Sequence, residues 1–295
     1  MNQRQVGVAF ALVAYGIWGV LPLYLKALHG VPPLEIVAHR IVWAALLLLL
    51  VLAVTRQWGW LQQLRARPRI AWTFMASAAA LSVNWLTYIW AVDVGRVVDA
   101  SLGYFINPLF SVVLAVLVLK ERLRAVQWAA VALAGVGVLW LTLYAGQLPW
   151  IGLTLAVSFG LYGLLRKTAS IDSLGGLTLE TWLLLPLAAG YLLLLSLRHE
   201  SSWATGGELQ NALLVAAGPI TAVPLLAFAA GARRIPLSLM GILQYLGPTL
   251  QLGLGVLVFR EPLPLAKLCG YALIWAALLL YSIEGLTFRA RATSA

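Results

Sequence analysis

The sequence predicts an all-α membrane protein whose ten transmembrane helices form two inverted repeats of five helices each. Apolar residues make up 62% of the 295 positions and charged residues only 10%, whereas a soluble domain carries about 25% charged residues. The apolar residues are grouped into stretches of about 20, the length that crosses a bilayer core. Landmarks of the first half recur in the second half in the same order, which indicates the repeat.

Ten apolar stretches account for the predicted spans, and they are about twice as long as the ~10-residue strands of a membrane β-barrel. The longest polar connections lie at about 56–70 and 198–208. Tryptophans near the span ends, such as Trp60, Trp72 and Trp203, are typical of an interfacial belt. The predicted spans are 6–26, 33–55, 71–92, 99–119, 127–144, 150–168, 177–197, 209–231, 237–259 and 266–286.

The distribution of basic residues predicts the orientation of the chain. If the N-terminus is cytoplasmic, the inner segments hold about three times as many Lys and Arg residues as the outer loops, and this bias favours two cytoplasmic termini. The bias also accounts for the net charge of +10. We therefore expect no nucleic-acid partner.

Four landmarks indicate an internal repeat, because each recurs at a spacing of about 140–145 residues. A unit of five spans crosses the membrane an odd number of times, so the second copy has the opposite orientation. This predicts an N-terminal repeat at 1–146 and a C-terminal repeat at 147–295. The paired landmarks are the motifs at 15–19 and 159–163, Glu35 and Glu180, Pro108 and Pro248, and the segments 120–123 and 260–263.

Several sequence stretches resemble the RarD group of the EamA family, in the drug/metabolite transporter superfamily, over about residues 5–287. The resemblance implies ten helices in two inverted repeats and a central cavity lined mainly by helices 1–4 and 6–9. It also implies a permease or exporter of the bacterial inner (cytoplasmic) membrane. The stretches are YGIWG at 15–19, HRIVW at 39–43, NWLTYIWAV at 84–92, ASLGYFINPL at 100–109, FGLYGLLRK at 159–167, ETWLLLP at 180–186 and QYLGPTL at 244–250.

Polar and aromatic side chains inside the spans are candidates for a solute-binding cavity, because polar groups in hydrocarbon are costly unless they are paired or hydrated. Helix packing is the alternative for each of them. The candidates for the cavity lining are Tyr15, Trp18, Asn84, Trp85, Tyr88, Tyr104, Asn107, Tyr162, Gln244 and Tyr245.

Prolines within the spans predict local helix distortions. Pro108 and Pro248 leave the carbonyls of Tyr104 and Gln244 without their helical donors. Paired helix breaks in two halves point to a transporter site, although proline kinks also occur where only packing requires them. Pro224 indicates flexibility in the eighth span.

Six ionisable residues are candidates for a gate or an ion pair: Glu35, His39, Arg40, Asp93, Asp99 and Glu180. Arg40 lies roughly 10 Å into the second span, where it could gate the outer side, bind an anionic solute or pair with Asp93 or Asp99. Glu35 is one helical turn before His39, so their side chains can touch. Glu35 and Glu180 are also placed to cap the start of their helices.

These features favour a secondary transporter that moves small amphipathic solutes, such as amino acids, metabolites or drugs, by alternating access. The alternatives are a membrane-embedded enzyme and a non-transporting receptor or assembly subunit. The sequence has a single cysteine and shows no nucleotide-binding or hydrolase motif. We therefore expect no metal, cofactor or nucleotide and no enzymatic activity. The expected partners are a small-molecule substrate and the lipid bilayer, and a homodimer is left open.

Overall fold

The computed structural model describes residues 2–93, 97–146, 150–258 and 264–293. Within these ranges the chain is helical and contains no strand, which confirms the all-α prediction. The helices are α1 Gln3–Ala27, α2 Pro33–Thr55, α3 Gly59–Ala66, α4 Ile70–Asp93, α5 Val97–Leu117, α6 Ala125–Ala145, α7 Trp150–Thr168, α8 Ser173–Leu197, α9 Ser202–Thr205, α10 Glu208–Ala232, α11 Leu237–Gln244, α12 Leu246–Leu257 and α13 Leu265–Thr293.

Seven helices in the described ranges are long and apolar enough to cross a membrane, namely α1, α2, α4, α6, α8, α10 and α13. Each lies where the sequence predicts a span. The predicted fourth span corresponds to α5, which contains the apolar helical stretch Gly103–Leu117. The predicted sixth span corresponds to α7, and the ninth corresponds to α11 and α12 together.

The predicted span at 237–259 is formed by two successive helices. The first helix ends at Gln244 and the second helix begins at Leu246. Pro248 has no N–H to donate to the carbonyl of Gln244, and the N–H of Tyr245 bonds the Ile242 carbonyl at 3.2 Å in a tighter turn. Pro108, by contrast, lies inside the uninterrupted helix α5.

The two connections predicted as polar loops each contain a short helix, α3 and α9. Trp60 on α3 is only 4% exposed and packs against Leu52, Phe74 and Ile171, so its assignment to an interfacial belt is wrong. Its large apolar ring is better stabilised by these side chains than by a membrane interface. Trp72 is 67% exposed, as expected of a residue at the bilayer surface.

Helices α1 and α7 lie at the centre of the protein. Helix α1 packs against α10 and α12, and α7 packs against α4 and α5. Around this centre α2 packs on α8, α5 on α11, and α6 on α13. The largest core cluster includes Tyr15 on α1, Tyr162 on α7 and Phe228 on α10, so the functional candidates of α1 and α7 face the interior.

The close crossing of α5 and α11 depends on Gly241. A Cβ atom at this position would lie 2.8 Å from the backbone oxygen of Pro108 and 3.1 Å from Cβ of Ser111. Because a backbone atom cannot move aside as a side chain can, we expect Gly241→Ala to lower the free energy of unfolding by about 1–3 kcal/mol. Thermal unfolding of the purified protein in detergent measures this effect.

Gly253→Ala is the matched control, because nothing lies within 4 Å of a Cβ at that position. Alanine there should be neutral or stabilising by up to about 1 kcal/mol. Equal melting temperatures for both variants would contradict the close approach of α5 and α11.

Candidate functional site

A cavity of ≈ 90 Å³ lies between helices from both halves of the chain. Its walls are formed by α1, α2, α4 and α5 from the first half and by α7, α10, α11 and α12 from the second. Eight candidates for the cavity lie on its lining: Tyr15, Trp18, Asn84, Trp85, Tyr88, Tyr104, Asn107 and Gln244. Arg40 and Pro248 also line it.

Two residues expected in this lining, Tyr162 and Tyr245, lie outside it. The Tyr162 ring stacks on Phe228 with a centroid separation of 5.6 Å. The Tyr245 hydroxyl donates to the Phe105 carbonyl at 3.2 Å. Sequence reasoning did not select Gln251, which lines the cavity and is two helical turns after Gln244. Residues two helical turns apart share a helix face, so this spacing could have identified Gln251. The break between α11 and α12 makes the pattern less regular.

The amide side chains of the cavity have different roles. Asn84 donates from Nδ2 to the Leu155 carbonyl at 2.9 Å and to Oγ of Ser158 at 3.1 Å, so it joins α4 to α7 as well as lining the cavity. Asn107 is 3% exposed, and its Oδ1 has no hydrogen-bond partner in the described part of the chain. An acceptor of this kind is available to a ligand.

Arg40 makes two contacts that fix its side chain in the cavity wall. Its Nε donates to Oγ1 of Thr221 at 2.8 Å, and its guanidinium carbon lies 4.8 Å from the ring centroid of Trp85. The sequence offered Asp93 and Asp99 as partners for this cation. The side chains of both aspartates lie outside the described residues.

Glu35 has a different capping role from the one predicted. It lies 3.9 Å from Nε2 of His39, but it accepts hydrogen bonds from Ser202 N at 2.8 Å and Ser202 Oγ at 2.7 Å. It also accepts from Ser201 Oγ. The carboxylate therefore ties the start of α9 to α2. The adjacent Trp203, predicted as an interfacial residue, stacks on His39 with ring centroids 5.7 Å apart.

The expectation that Glu180 caps its helix is wrong. Helix α8 begins at Ser173, and Asp172 is the cap, accepting from the backbone N of Gly175 at 3.1 Å. Glu180 lies two turns into the helix, accepts from Ser77 Oγ at 2.5 Å and lies 3.6 Å from Nη1 of Arg166. It therefore belongs to a buried polar cluster that connects α4, α7 and α8.

The repeated aromatic–glycine motifs meet in one aromatic cluster of Tyr15, Trp18, Phe159, Tyr162 and Phe228. Trp18 and Phe159 pack edge to face at 5.5 Å, and Phe159 and Phe228 have ring centroids 5.1 Å apart. Tyr15 donates to the carbonyl of Met240 at 3.1 Å, which attaches α1 to α11. Trp18 and Phe159 line the cavity, so the cluster forms one of its walls.

Polar contacts hold the helix ends together on the side of this cluster away from the cavity. Lys167 donates to the carbonyl of Ile235 at 2.7 Å, and Arg233 donates to the carbonyl of Ile171 at 2.6 Å. Glu121 accepts from the backbone N of Leu237 at 2.8 Å and thus caps α11. The Glu121 contact joins the two halves, and the other two hold helix ends of the second half together at the same end of the protein.

Comparison with known proteins identifies the family. The profile of the EamA-like transporter family matches residues 5–143. An uncharacterized transporter of Pseudomonas aeruginosa is 46% identical over 96% of this chain and 95% of that protein. Protein RarD of Streptomyces exfoliatus is 44% identical, covering 97% of this chain and 90% of the relative. The chain belongs to the EamA-like transporter family.

Within the EamA family, the relatives named RarD confirm the resemblance drawn from the sequence. The family and the apolar helices make the chain a multi-pass membrane transporter. A crystal structure of a protein with 19% sequence identity matches with a TM-score of 0.72, over 97% of this chain and 99% of the other. At that identity the match shows a shared fold.

The buried Arg166–Glu180 pair should be sensitive to the loss of one partner. Both side chains are 1% exposed, so we expect Glu180→Leu to leave an uncompensated cation and to reduce stability by about 3–5 kcal/mol. The double variant Arg166→Met with Glu180→Leu replaces both charges by apolar groups and should recover most of that loss. Thermal unfolding in detergent gives the comparison. Equal destabilisation in the single and double variants would show that the pair is not the source of the effect.

Proposed function

We propose that this EamA-family transporter is a secondary transporter that moves small amphipathic solutes across the bacterial inner membrane by alternating access. The observation that carries the proposal is the cavity lined by helices of both halves. Amide, phenol and indole groups dominate its polar lining, and Arg40 is the one charged residue among the described residues of the wall. Pockets of this composition suit ligands with a polar group and an apolar body.

Ten spans in two inverted repeats, 1–146 and 147–295, are the architecture that we propose for this mechanism. The helix packing supports this architecture, because the central helix of each half packs against helices of the other half. Helix α1 packs on α10 as its counterpart α7 packs on α4, and α1 packs on α12 as α7 packs on α5. Inverted repeats of this kind allow one chain to reach two related states around a shared central site.

The proposed orientation puts both termini in the cytoplasm, so the cavity lies in the outer half of the spans. Of its lining, Leu25 lies near the outer end of α1, and Gln251 lies in the outer half of the span formed by α11 and α12. The aromatic cluster and the Lys167, Arg233 and Glu121 contacts lie on the inner side. This arrangement supports a state that is closed toward the cytoplasm, and transport would require these inner contacts to separate.

The size of the cavity favours small solutes. Its ≈ 90 Å³ is below the roughly 300–1,000 Å³ of pockets that hold drug-sized ligands. The described lining contains no carboxylate, so it offers no paired acid and base for hydrolysis. A small metabolite therefore fits this state better than a large drug.

Labelling of engineered cysteines tests the inverted repeat. With the exposed Cys269 changed to Ser, His29→Cys and Glu200→Cys should react with a membrane-impermeant maleimide on intact cells. Gln63→Cys and Arg234→Cys should react only after permeabilisation, because both are predicted to be cytoplasmic. Labelling of Gln63→Cys and Arg234→Cys from opposite sides would contradict the inverted repeat.

Proteoliposome uptake tests transport through the cavity. A panel of radiolabelled amino acids and small organic acids should reveal saturable flux for at least one solute. Leu21→Trp should reduce that flux about tenfold or more, since Leu21 lines the cavity and an indole there would fill it. Val20→Trp is the control on the same helix, because the Val20 side chain is 46% exposed and does not line the cavity. Loss of flux in both variants, or in neither, would count against the cavity as the pathway.

A further inference from the structure

The Arg40 guanidinium has donors that the described residues do not use. An arginine side chain carries five N–H donors, and Arg40 uses the one on Nε for Thr221. Its terminal nitrogens donate no hydrogen bond to the described residues, and they are not among the fully buried polar atoms, so they reach open space. Because Arg40 lines the cavity, these donors are accessible to a molecule inside it.

The nearest described carboxylate along the helix is committed elsewhere. Glu35 accepts hydrogen bonds from Ser201 and Ser202 and forms no ion pair with Arg40. An unpaired cation within a membrane is costly, so a positive charge on this wall favours a site that receives an anion. A planar carboxylate fits best, because the guanidinium can donate two parallel hydrogen bonds to it.

Asn107 provides a second, independent indication of a ligand. It lines the same cavity, is 3% exposed and has an Oδ1 atom without a hydrogen-bond partner in the described structure. A buried acceptor left unpaired costs free energy. A ligand that brings an N–H donor would satisfy this oxygen.

From these two groups we infer that the cavity binds a small solute carrying both a carboxylate and an N–H donor. The carboxylate accepts from the terminal nitrogens of Arg40, and the N–H group donates to Oδ1 of Asn107. Thr221 and Trp85 hold the guanidinium in position. This inference rests on the proposed transport function and names the chemistry of its substrate. The competing structure is an ion pair from Arg40 to Asp93 or Asp99.

A matched set of four probes separates the two contacts. L-valine carries both groups, isovalerate carries only the carboxylate, isobutylamine carries only the N–H donor, and valine methyl ester lacks the anion. Binding is measured by isothermal titration to the full-length protein in nanodiscs. We expect valine to bind most tightly, isovalerate about tenfold more weakly, and the amine and the ester not measurably, as charge-assisted hydrogen bonds imply.

The variants assign each contact to its residue. Arg40→Gln should weaken the binding of valine and isovalerate by about tenfold to a hundredfold, and Arg40→Lys should restore part of it because it keeps the charge. Asn107→Leu should reduce the affinity for valine to that for isovalerate, and it should leave the affinity for isovalerate unchanged. Arg56→Gln, at the end of α2 and away from the cavity, is the control for charge removal. Melting temperatures identify variants that fail to fold.

Three outcomes would overturn the inference. Preferential binding of the ester or the amine would reverse the proposed charge selection. Binding of inorganic phosphate in place of every carboxylate would assign Arg40 to a different anion. Failure of all four probes to bind, with Arg40→Gln and Asp99→Asn destabilised equally, would assign Arg40 to a structural ion pair.

Transport measurements keep this inference separate from the proposed function. If the ester or the amine shows saturable uptake and valine does not, the transport proposal stands and the carboxylate site is wrong. If valine binds through Arg40 but no solute crosses the membrane, the site stands and the transport proposal is wrong.

Discussion

Hydrocarbon offers no hydrogen-bond partners, so every polar group in the spans must be satisfied by the protein or by a hydrated cavity. The Arg166–Glu180 pair and the Asn84 bond to Leu155 show how α4, α7 and α8 meet this constraint through interhelical contacts. Two groups in the described structure keep hydrogen-bonding capacity beside the cavity, namely the terminal nitrogens of Arg40 and Oδ1 of Asn107. Arg40 and Asn107 both face the cavity, so the cost of leaving them there is offset when a polar molecule or water enters.

The two aromatic–glycine motifs place this cavity and close one side of it. Small residues let helices approach, and one glycine of each motif does so here: a Cβ at Gly19 would overlap Leu250, and one at Gly160 would overlap Phe110. The aromatic residues of the same motifs then fill the space between α1, α7 and α10. One local pattern, used twice, therefore supplies both the close helix packing and a bulky barrier beneath the cavity.

Contacts at the helix ends extend the barrier with charged residues, which the proposed orientation places on the cytoplasmic side. Lys167 donates to the carbonyl of Ala232 at the end of α10, and Arg233 donates to the carbonyl of Ala169 directly after α7, where the helix dipole is negative. Such hydrogen bonds are exchanged with water when the ends separate, so their loss costs little. They can stabilise a closed state reversibly, as the proposed alternating access requires.

Part of the candidate site could be predicted from the sequence because membrane burial selects residue types. Tyr88, Asn107 and Gln244 stand out as polar groups within apolar spans, and each lines the cavity. Tyr162 has the same position in its motif as Trp18, yet it packs on Phe228 outside the cavity. The two residues are equivalent in their sequence motifs, but the cavity lies on one side of the aromatic cluster and gives them different surroundings.

The sequence alone determined the membrane class, the helical fold, the approximate position of the spans and the break near Pro248. These properties depend on local hydrophobicity, chain length and the missing N–H of proline, all of which are encoded within short segments. Only the tertiary structure decided that Glu180 pairs with Arg166, that Glu35 caps α9 and that Trp60 is buried. Those outcomes depend on contacts between residues far apart in the chain, and no local pattern specifies which of several polar groups a buried charge will meet.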